Sequence, residues 1–233
     1  EIDHMLQVDN PQRIYIRGER QEILWEAMEA SDAVRIKYAS KYASSSNYWK
    51  NSIGMSNGIQ KLGVKAQKQA EERAFQQWAD KNTLPEERYI DALPNMQKVI
   101  EAITPIEGSM QYLQEAFLRG VEIITAARTA TARLDAFYKE YEVELDRKVA
   151  KRMLTIAKEN MDPKYLPSIY AEVIDTQFGG NIEQYVDWLY NNSAFYSLEK
   201  AKNLSDEARK EDPAYALAQS VIKSYNSLVP AYQ

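Results

Sequence analysis

Apolar residues recur at helical spacing along most of the chain. They lie three and four residues apart over 13–29, again through 31–61, and more thinly over 64–81 between charged positions. Period-two alternation is confined to 13–17, which we interpret as helix, so the pattern predicts no strand. Eight Gly and eight Pro in 233 residues favour long helices with few breaks. We therefore predict an all-α fold, an irregular multi-helix bundle with long amphipathic helices, in which residues 1–233 form one helical domain.

Prolines and glycines predict where the helices end. Pro85 and Pro94 bracket a short helix over 86–93, and a helix over 96–103 ends before Pro105 because the residue preceding proline avoids helical dihedrals. From 106 to about 140 the apolar pattern is nearly continuous, with Gly108 and Gly120 as kinks. The segment 141–160 is helical, either continuous with the preceding one or packed back on it.

Capping residues predict the later boundaries. Asp162 and the proline after it begin a helix that ends at the glycine pair starting with Gly179. Asn181, with Gln184 three residues on, begins the next helix as a capping box does. Asp212 precedes a proline that starts the last helix, which runs to about residue 228.

The segment 31–61 holds the most unusual choices in the chain. Ser31 is a suitable N-cap, and Gly54 and Gly58 loosen or end the helix that follows. One face of this helix is mostly aromatic, and it carries Val34, Tyr38, Tyr42, Ser45 and Trp49. A second face is mostly small or polar, and it carries Ile36, Ser40, Ala43, Asn47 and Asn51. Serine is a mediocre helix former, so the run 44–46 indicates a requirement other than helix propensity.

Composition excludes several function classes. The net charge is −5, and Lys and Arg are dispersed among Asp and Glu, so no basic stripe tracks a nucleic acid backbone. No apolar run approaches 20 residues, so we expect no membrane span. Without cysteine the chain has neither disulfides nor thiolate metal sites. Because Glu1 is not a native initiator and no signal peptide opens the chain, we expect a processed chain or an excised piece.

Candidate chemistry is sparse. A Ser-His-Asp triad needs a histidine base, and the only histidine is His4, in the lead-in. One histidine is also too few for a di-iron bundle, and no phosphate loop or dinucleotide glycine pattern is present. Paired glutamates on charged helix faces are typical of solvated surface. Judged on its own residues, the chain has no catalytic residues, no metal site and no cofactor.

Two runs nevertheless resemble a known family. The run YASKYASSSNYWKNSIGM, with VDNPQRIYIRGERQEILWEAM upstream, is similar to the helical domain of the dipeptidyl-peptidase 7/11 family of bacterial serine peptidases. The resemblance is strong over 8–75. It implies that the chain is the helical cap inserted in a chymotrypsin-like double β-barrel, which would carry the triad outside this sequence. It also implies a periplasmic or cell-surface enzyme of a Gram-negative bacterium that releases dipeptides, with a homodimer formed through the parent enzyme.

The resemblance also implies a substrate-binding site. In the family, a helical-domain asparagine and a barrel aspartate bind the free α-amino group of the peptide. Asn47 is the matching position, and Asn51, one turn later, is its rival. Tyr48 and Trp49 wall the dipeptide pocket, with core packing an equal alternative for Trp49. The side-chain preference at the cleavage site, acidic or hydrophobic, is expected to be set in the barrel.

A stand-alone helical protein-interaction module is the alternative function. Such a module would bury the small polar face around Asn47 or use a broad apolar patch instead. A cap should leave that face open toward the barrel.

Overall fold

The computed structural model describes residues 2–82, 84 and 89–232, and this part of the chain is helical and contains no strand. Its α-helices of at least five residues are numbered in chain order: α1 Asn10–Ala30, α2 Asp32–Lys61, α3 Val64–Asn82, α4 Ala92–Tyr112, α5 Glu122–Arg128, α6 Leu134–Lys139, α7 Val143–Asn160, α8 Ile182–Asn192, α9 Leu198–Lys202, α10 Asp206–Lys210 and α11 Pro213–Tyr232. π-Helical segments lie before α1, after α4 and between α7 and α8, at Met5–Asp9, Leu113–Leu118 and Tyr170–Asp175. The all-α prediction is confirmed.

Helices α1 and α2 form an antiparallel hairpin around Ser31. This residue has extended backbone dihedrals (φ −149°, ψ 119°), and its side chain accepts a hydrogen bond from the Val34 N–H at 3.4 Å. Helix α2 then continues to Lys61 and turns at Gly63, whose φ is +61°. We predicted that Gly54 and Gly58 loosen or end this helix. The helix does not end at either glycine, so that part of the prediction was wrong. A glycine costs a helix only about 1 kcal/mol, which the packing of α2 on α1 offsets.

The predicted helix end before Pro105 was also wrong, because α4 passes through this proline. Pro105 is exposed, so the carbonyl that loses its helical donor lies on the side facing water. On either side of it, hydroxyl groups bond back into the helix. Thr104 donates to the Ile100 carbonyl at 2.7 Å and Ser109 donates to the Pro105 carbonyl at 2.8 Å.

The stretch 106–140 is interrupted rather than nearly continuous. A π-helix, Leu113–Leu118, follows α4, and the chain becomes extended at Val121, after Gly120. The sharp turn requires glycine, because a Cβ at Gly120 would lie 2.2 Å from the Ala116 carbonyl oxygen. A second extended residue, Thr129, ends α5.

The later boundaries follow their caps. Asn181 accepts a hydrogen bond from the Gln184 N–H at 3.0 Å, and Asp212 accepts one from the Ala214 N–H at 2.8 Å, as predicted. The predicted helix between Asp162 and Gly179 is divided into the 3-10 turn Pro163–Tyr165 and a later helical segment, in which the π-helix Tyr170–Asp175 continues directly into the α-helical turn Thr176–Phe178. It does end at Gly179, with φ +58°. The predicted helix over 86–93 includes residues 86–88, outside the described residues, and Tyr89–Asp91 is a 3-10 turn.

The hydrophobic core is built around α7. This helix buries Val149, Met153 and Ile156, with α1 packed on one part of its surface and α8 on another. Helix α11 packs against α4 and α5. By contrast, α3 buries Ala79 alone among its residues, as its thin apolar seam predicts. The α1–α2 hairpin is therefore fixed to the core through α1, which leaves one face of α2 free.

Candidate functional site

The two predicted faces of α2 have opposite environments. The face toward α1 buries Tyr38, Ser45, Ser46 and Ser52. The opposite face is exposed, and it carries Ile36, Ser40, Ala43, Asn47 and Asn51. Since the chain covers the first face and leaves the second open, the second face is the part of α2 available to a ligand or partner.

The buried serines are hydrogen-bond acceptors for α1. Ser45 Oγ accepts from Arg17 Nη1 at 3.3 Å and from Arg20 Nη2 at 2.9 Å. Ser46 Oγ accepts from Gln21 Nε2 at 2.9 Å. A buried polar group costs free energy unless it is paired, so the serines satisfy donors that α1 would otherwise bury alone. This explains why two poor helix formers stand in mid-helix.

Arg17 connects this hairpin to the core. Its guanidinium lies 2.9 Å from Glu115 Oε2 and 3.0 Å from Glu115 Oε1, and both side chains are buried. Its Cζ is also 5.0 Å from the ring centroid of Tyr48, a cation–π distance. The buried ion pair thus supports an aromatic ring that is itself 61% exposed. The exposed Tyr48 ring therefore packs on the Arg17 side chain, which the buried ion pair with Glu115 holds in place.

Trp49 has a packing role. Its indole N–H donates to the Ile14 carbonyl at 3.0 Å, and its ring lies over Gly18. A Cβ built at Gly18 would be 3.5 Å from the indole nitrogen, which is ordinary contact. The structure therefore brings Trp49 against α1, while Asn47, Tyr48 and Asn51 stay exposed.

Asn47 and Asn51 present free amides. Both are exposed, and neither side chain has a hydrogen-bond or ion-pair partner among the residues that the structure describes. An amide oxygen accepts hydrogen bonds and an amide N–H₂ donates them, so each could bind an ammonium or a carbonyl group. These two residues lie one helical turn apart on a rigid helix, beside the Tyr48 ring.

A second polar cluster lies below the first half of α2 and centres on Asp146 of α7. Asp146 Oδ1 accepts from the backbone N–H of Glu122 at 2.7 Å, and Oδ2 accepts from Ile123 N at 2.7 Å, Tyr190 Oη at 2.7 Å and Tyr141 Oη at 3.0 Å. The carboxylate thus caps the N-terminus of α5. Burial, and then the charge of Glu122, raise the pKa of Asp146 to about 7 against the hydrogen bonds it accepts.

Tyr38 and Lys41 join α2 to this cluster. Both donate hydrogen bonds to the Glu122 carboxylate, Lys41 at 2.5 Å. The Tyr38 oxygen also accepts from the Glu142 N–H at 3.1 Å. Burial, followed by the charge of Glu122, raises the pKa of Tyr38 well above its ordinary range. Tyr38 therefore stays protonated and acts as a hydrogen-bond donor at the base of α2.

The other candidate groups have structural contacts. His4 lies with Nε2 2.6 Å from Glu107 and Nδ1 3.1 Å from Thr104, which ties the start of the chain to α4. Among the described residues, no three His, Asp or Glu side chains lie close enough to hold a metal ion. None of the described helices has both the length and the apolar character to span a membrane.

Sequence reasoning missed the buried charges. Arg17 and Glu115 are 98 residues apart, and the Asp146 carboxylate accepts from the backbone N–H of Glu122, 24 residues away, so no local spacing indicates either contact. Arg17 lies inside the run that carries the family resemblance, where the sequence assigned it no role. The serine run was the one local signal that something polar faces α2.

Comparison with known proteins shows that a single protein family matches nearly the whole chain. The pattern of the family described as Peptidase S46 matches residues 1–133 and 125–232. The chain is 37% identical to dipeptidyl-peptidase 7 of Porphyromonas gingivalis, over 97% of this chain and 35% of that protein. It is 28% identical to the Asp/Glu-specific dipeptidyl-peptidase of the same organism, over 98% and 35%.

Solved structures agree with the fold. The crystal structure of Porphyromonas endodontalis DPP11 in complex with the dipeptide Arg-Asp superimposes with a TM-score of 0.86 at 25% identity, covering 100% of this chain and 36% of that one. The complex of the same protein with Arg-Glu gives 0.85 at 25% identity, over 99% and 36%. The chain thus spans about a third of the length of the relatives it matches.

Proposed function

The chain belongs to the Peptidase S46 family, and from this premise we propose that it is the helical cap of a serine dipeptidyl-peptidase. In this proposal the cap covers the active-site cleft of a catalytic β-barrel elsewhere in the parent polypeptide. It binds the amino terminus of the peptide, so that cleavage releases dipeptides. The observation that carries the proposal is the open face of α2, where two amides without partners in the described part of the chain lie beside the Tyr48 ring that Arg17 contacts.

Asn47 is proposed to bind the free α-amino group. Its amide oxygen accepts a hydrogen bond from the substrate ammonium, while an aspartate of the barrel supplies the opposite charge. The exposure of Asn47 and its lack of a partner within the described chain support this role. Asn51 has the same properties one turn later, so it remains the rival ligand.

Tyr48 and Trp49 have different proposed parts. Tyr48 walls the dipeptide pocket with its exposed ring, which Arg17 supports from below. Trp49 acts indirectly, because its hydrogen bond to the Ile14 carbonyl sets the rotation of α2 on α1. That rotation directs Asn47 and Asn51 away from the core.

The parent enzyme supplies the rest of the proposal. The Ser-His-Asp triad and the pocket that selects the second residue lie in the barrel, and the enzyme acts in the periplasm or at the cell surface, with a homodimer formed through the parent. Two complexes of DPP11 from P. endodontalis hold dipeptides with an acidic second residue. The present chain has higher identity to dipeptidyl-peptidase 7, so an acidic preference is not carried over.

The alternative of a stand-alone interaction module requires a buried polar face or a broad apolar patch on α2. The face around Asn47 is open and mostly small and polar, which favours the cap.

Kinetics of the parent enzyme test the proposal. Asn47→Ala should lower kcat/KM for a dipeptidyl substrate with a free amino terminus by about 10- to 150-fold, since a hydrogen bond to a charged group contributes about 1.5–3 kcal/mol. The same substitution should leave the slow cleavage of the N-acetylated substrate unchanged, because that substrate has no ammonium. Asn57→Ala is the matched control, an exposed asparagine farther along α2 that should behave as the wild type.

Two outcomes decide between the residues. An effect of Asn51→Ala with wild-type kinetics for Asn47→Ala would move the amino-group ligand to Asn51. Wild-type kinetics for both variants would reject the role of this face in substrate binding.

A further inference from the structure

A cavity of about 150 Å³ lies between α1, α2, α7 and the turn at Gly120. It is separate from the exposed asparagine face, since neither Asn47 nor Asn51 lines it. Its wall holds three cations, two carboxylates, a tyrosine and an aliphatic part, and the side chains concerned are Arg20, Lys41, Arg119, Glu122, Asp146, Tyr38, Leu24, Leu145 and Val149. A cavity of this volume admits a molecule of about six or seven heavy atoms, since one of about 150 Å³ in another protein binds benzene.

Arg20, in this wall, forms no salt bridge with any residue that the structure describes. Its Nη1 donates to the Arg119 carbonyl at 2.6 Å and its Nη2 donates to Ser45 Oγ at 2.9 Å. Its Nε is buried and has no hydrogen-bond partner in the described part of the chain. Burial, followed by the charge of Arg17, lowers the pKa of Arg20, while the charges of Glu115, Glu122 and Asp146 act in the opposite direction.

The neighbouring carboxylates are engaged elsewhere. Glu115 lies between Arg17 and Arg119, at 2.9 and 3.3 Å. Glu122 receives hydrogen bonds from two side chains of α2, one on each carboxylate oxygen. Asp146 receives four hydrogen bonds on its two oxygens. None of the three is within salt-bridge distance of Arg20 among the described contacts.

The charges around the cavity leave one cation in excess. Among the side chains that line it, three cations (Arg20, Lys41 and Arg119) stand against two acids (Glu122 and Asp146). A buried charge is stable only when it is paired or hydrogen-bonded, so the arrangement favours an added anion beside Arg20. The aliphatic side chains opposite favour a ligand whose remaining atoms are apolar.

We propose that this cavity binds a small aliphatic monocarboxylate. The carboxylate faces the positive charges of Arg20 and Arg119 in the cavity wall. The aliphatic body contacts Leu24, Leu145 and Val149. An amino acid fits less well, because its ammonium group would lie among the same cations. The carboxylates that could accept a hydrogen bond from this ammonium already accept hydrogen bonds from other groups of the protein. The proposal is independent of the peptidase role, which depends on the other face of α2.

Isothermal titration of the whole parent polypeptide in chloride-free buffer tests the site. The probe is 3-methylbutanoate, and two matched ligands differ from it by one group each, the neutral 3-methylbutanamide and valine. The carboxylate should bind at one site per chain, and both comparison ligands should bind at least about tenfold more weakly. These three titrations use the wild-type polypeptide, so they test for the carboxylate site even if a substitution disturbs folding.

Variants locate the binding. Arg20→Gln, which keeps hydrogen-bonding groups and removes the charge, should lower the affinity at least about tenfold. Arg13→Gln, at a half-buried position of α1 that is paired with Asp9 and does not line the cavity, should leave it unchanged. No binding of 3-methylbutanoate, equal binding of the amide, or wild-type affinity in Arg20→Gln would overturn the proposal. Equal binding of acetate or of valine would overturn the assigned ligand class.

Discussion

Three consecutive serines on α2 should respond with opposite signs to the same substitution. Ser44 is exposed, so Ser44→Ala should stabilise the chain by about 0.5 kcal/mol through helix propensity alone. Ser45 accepts hydrogen bonds from two guanidinium groups, at 3.3 and 2.9 Å, and it is buried. Losing hydrogen bonds to charged groups costs about 1.5–3 kcal/mol, so Ser45→Ala should destabilise the chain by about 1–2.5 kcal/mol net.

Ser46 lies between these two cases. It accepts one neutral hydrogen bond, from Gln21 at 2.9 Å, so the loss is about 1 kcal/mol and the net effect of Ser46→Ala is about 0.5 kcal/mol destabilising. Urea unfolding of the chain followed by circular dichroism at 222 nm measures all three under one set of conditions. If Ser45→Ala proves as stable as Ser44→Ala, the buried contacts with α1 contribute nothing and our account of the serine run is wrong.

Further predictions concern two glycines and one buried acid. Gly18→Ala should be neutral or stabilise by up to about 1 kcal/mol, because its Cβ meets Trp49 at 3.5 Å, while Gly120→Ala should lower the melting temperature sharply, because its Cβ would lie 2.2 Å from the Ala116 carbonyl. Equal melting temperatures for the two variants would contradict this. Because folding raises the pKa of Asp146 from 3.8 to about 7, its contribution to stability is greatest below pH 4 and falls as the pH rises to 7. The difference in unfolding free energy between the wild type and Asp146→Asn should therefore shrink as the pH rises from 4 to 7, and a difference independent of pH would contradict the raised pKa.

Local signals predicted some boundaries because the groups that set them are neighbours in sequence. Ser31, Asn181 and Asp212 each cap a helix with a side chain two or three residues from its target N–H. Glycine and proline predicted wrong helix boundaries where tertiary packing outweighed the free energy that these residues cost the helix locally. Helix α2 continues past Gly54, and α4 passes through Pro105 because that residue faces water.

The candidate site was likewise predictable from the sequence only in part. The 3.6-residue period separated the face of Asn47 from that of Ser45, and this needed only the sequence. The partners of Ser45 were not predictable, because Arg17 and Arg20 come from another helix whose register is set by the whole fold. The same is true of Asp146, which starts α5 from 24 residues away.

Photo-crosslinking in the parent enzyme tests most directly whether the open face of α2 meets the substrate. Tyr48 is replaced by p-benzoylphenylalanine, and the enzyme is irradiated with a non-hydrolysable peptide that has a free amino terminus. The matched control replaces Trp188, another exposed aromatic residue, on α8, which packs on α7 and α11. Our account predicts a crosslink from position 48 to the first or second residue of the peptide, lost when the peptide is N-acetylated, and none from position 188. Equal labelling from both positions, or labelling from position 48 that acetylation leaves unchanged, would contradict the proposed site.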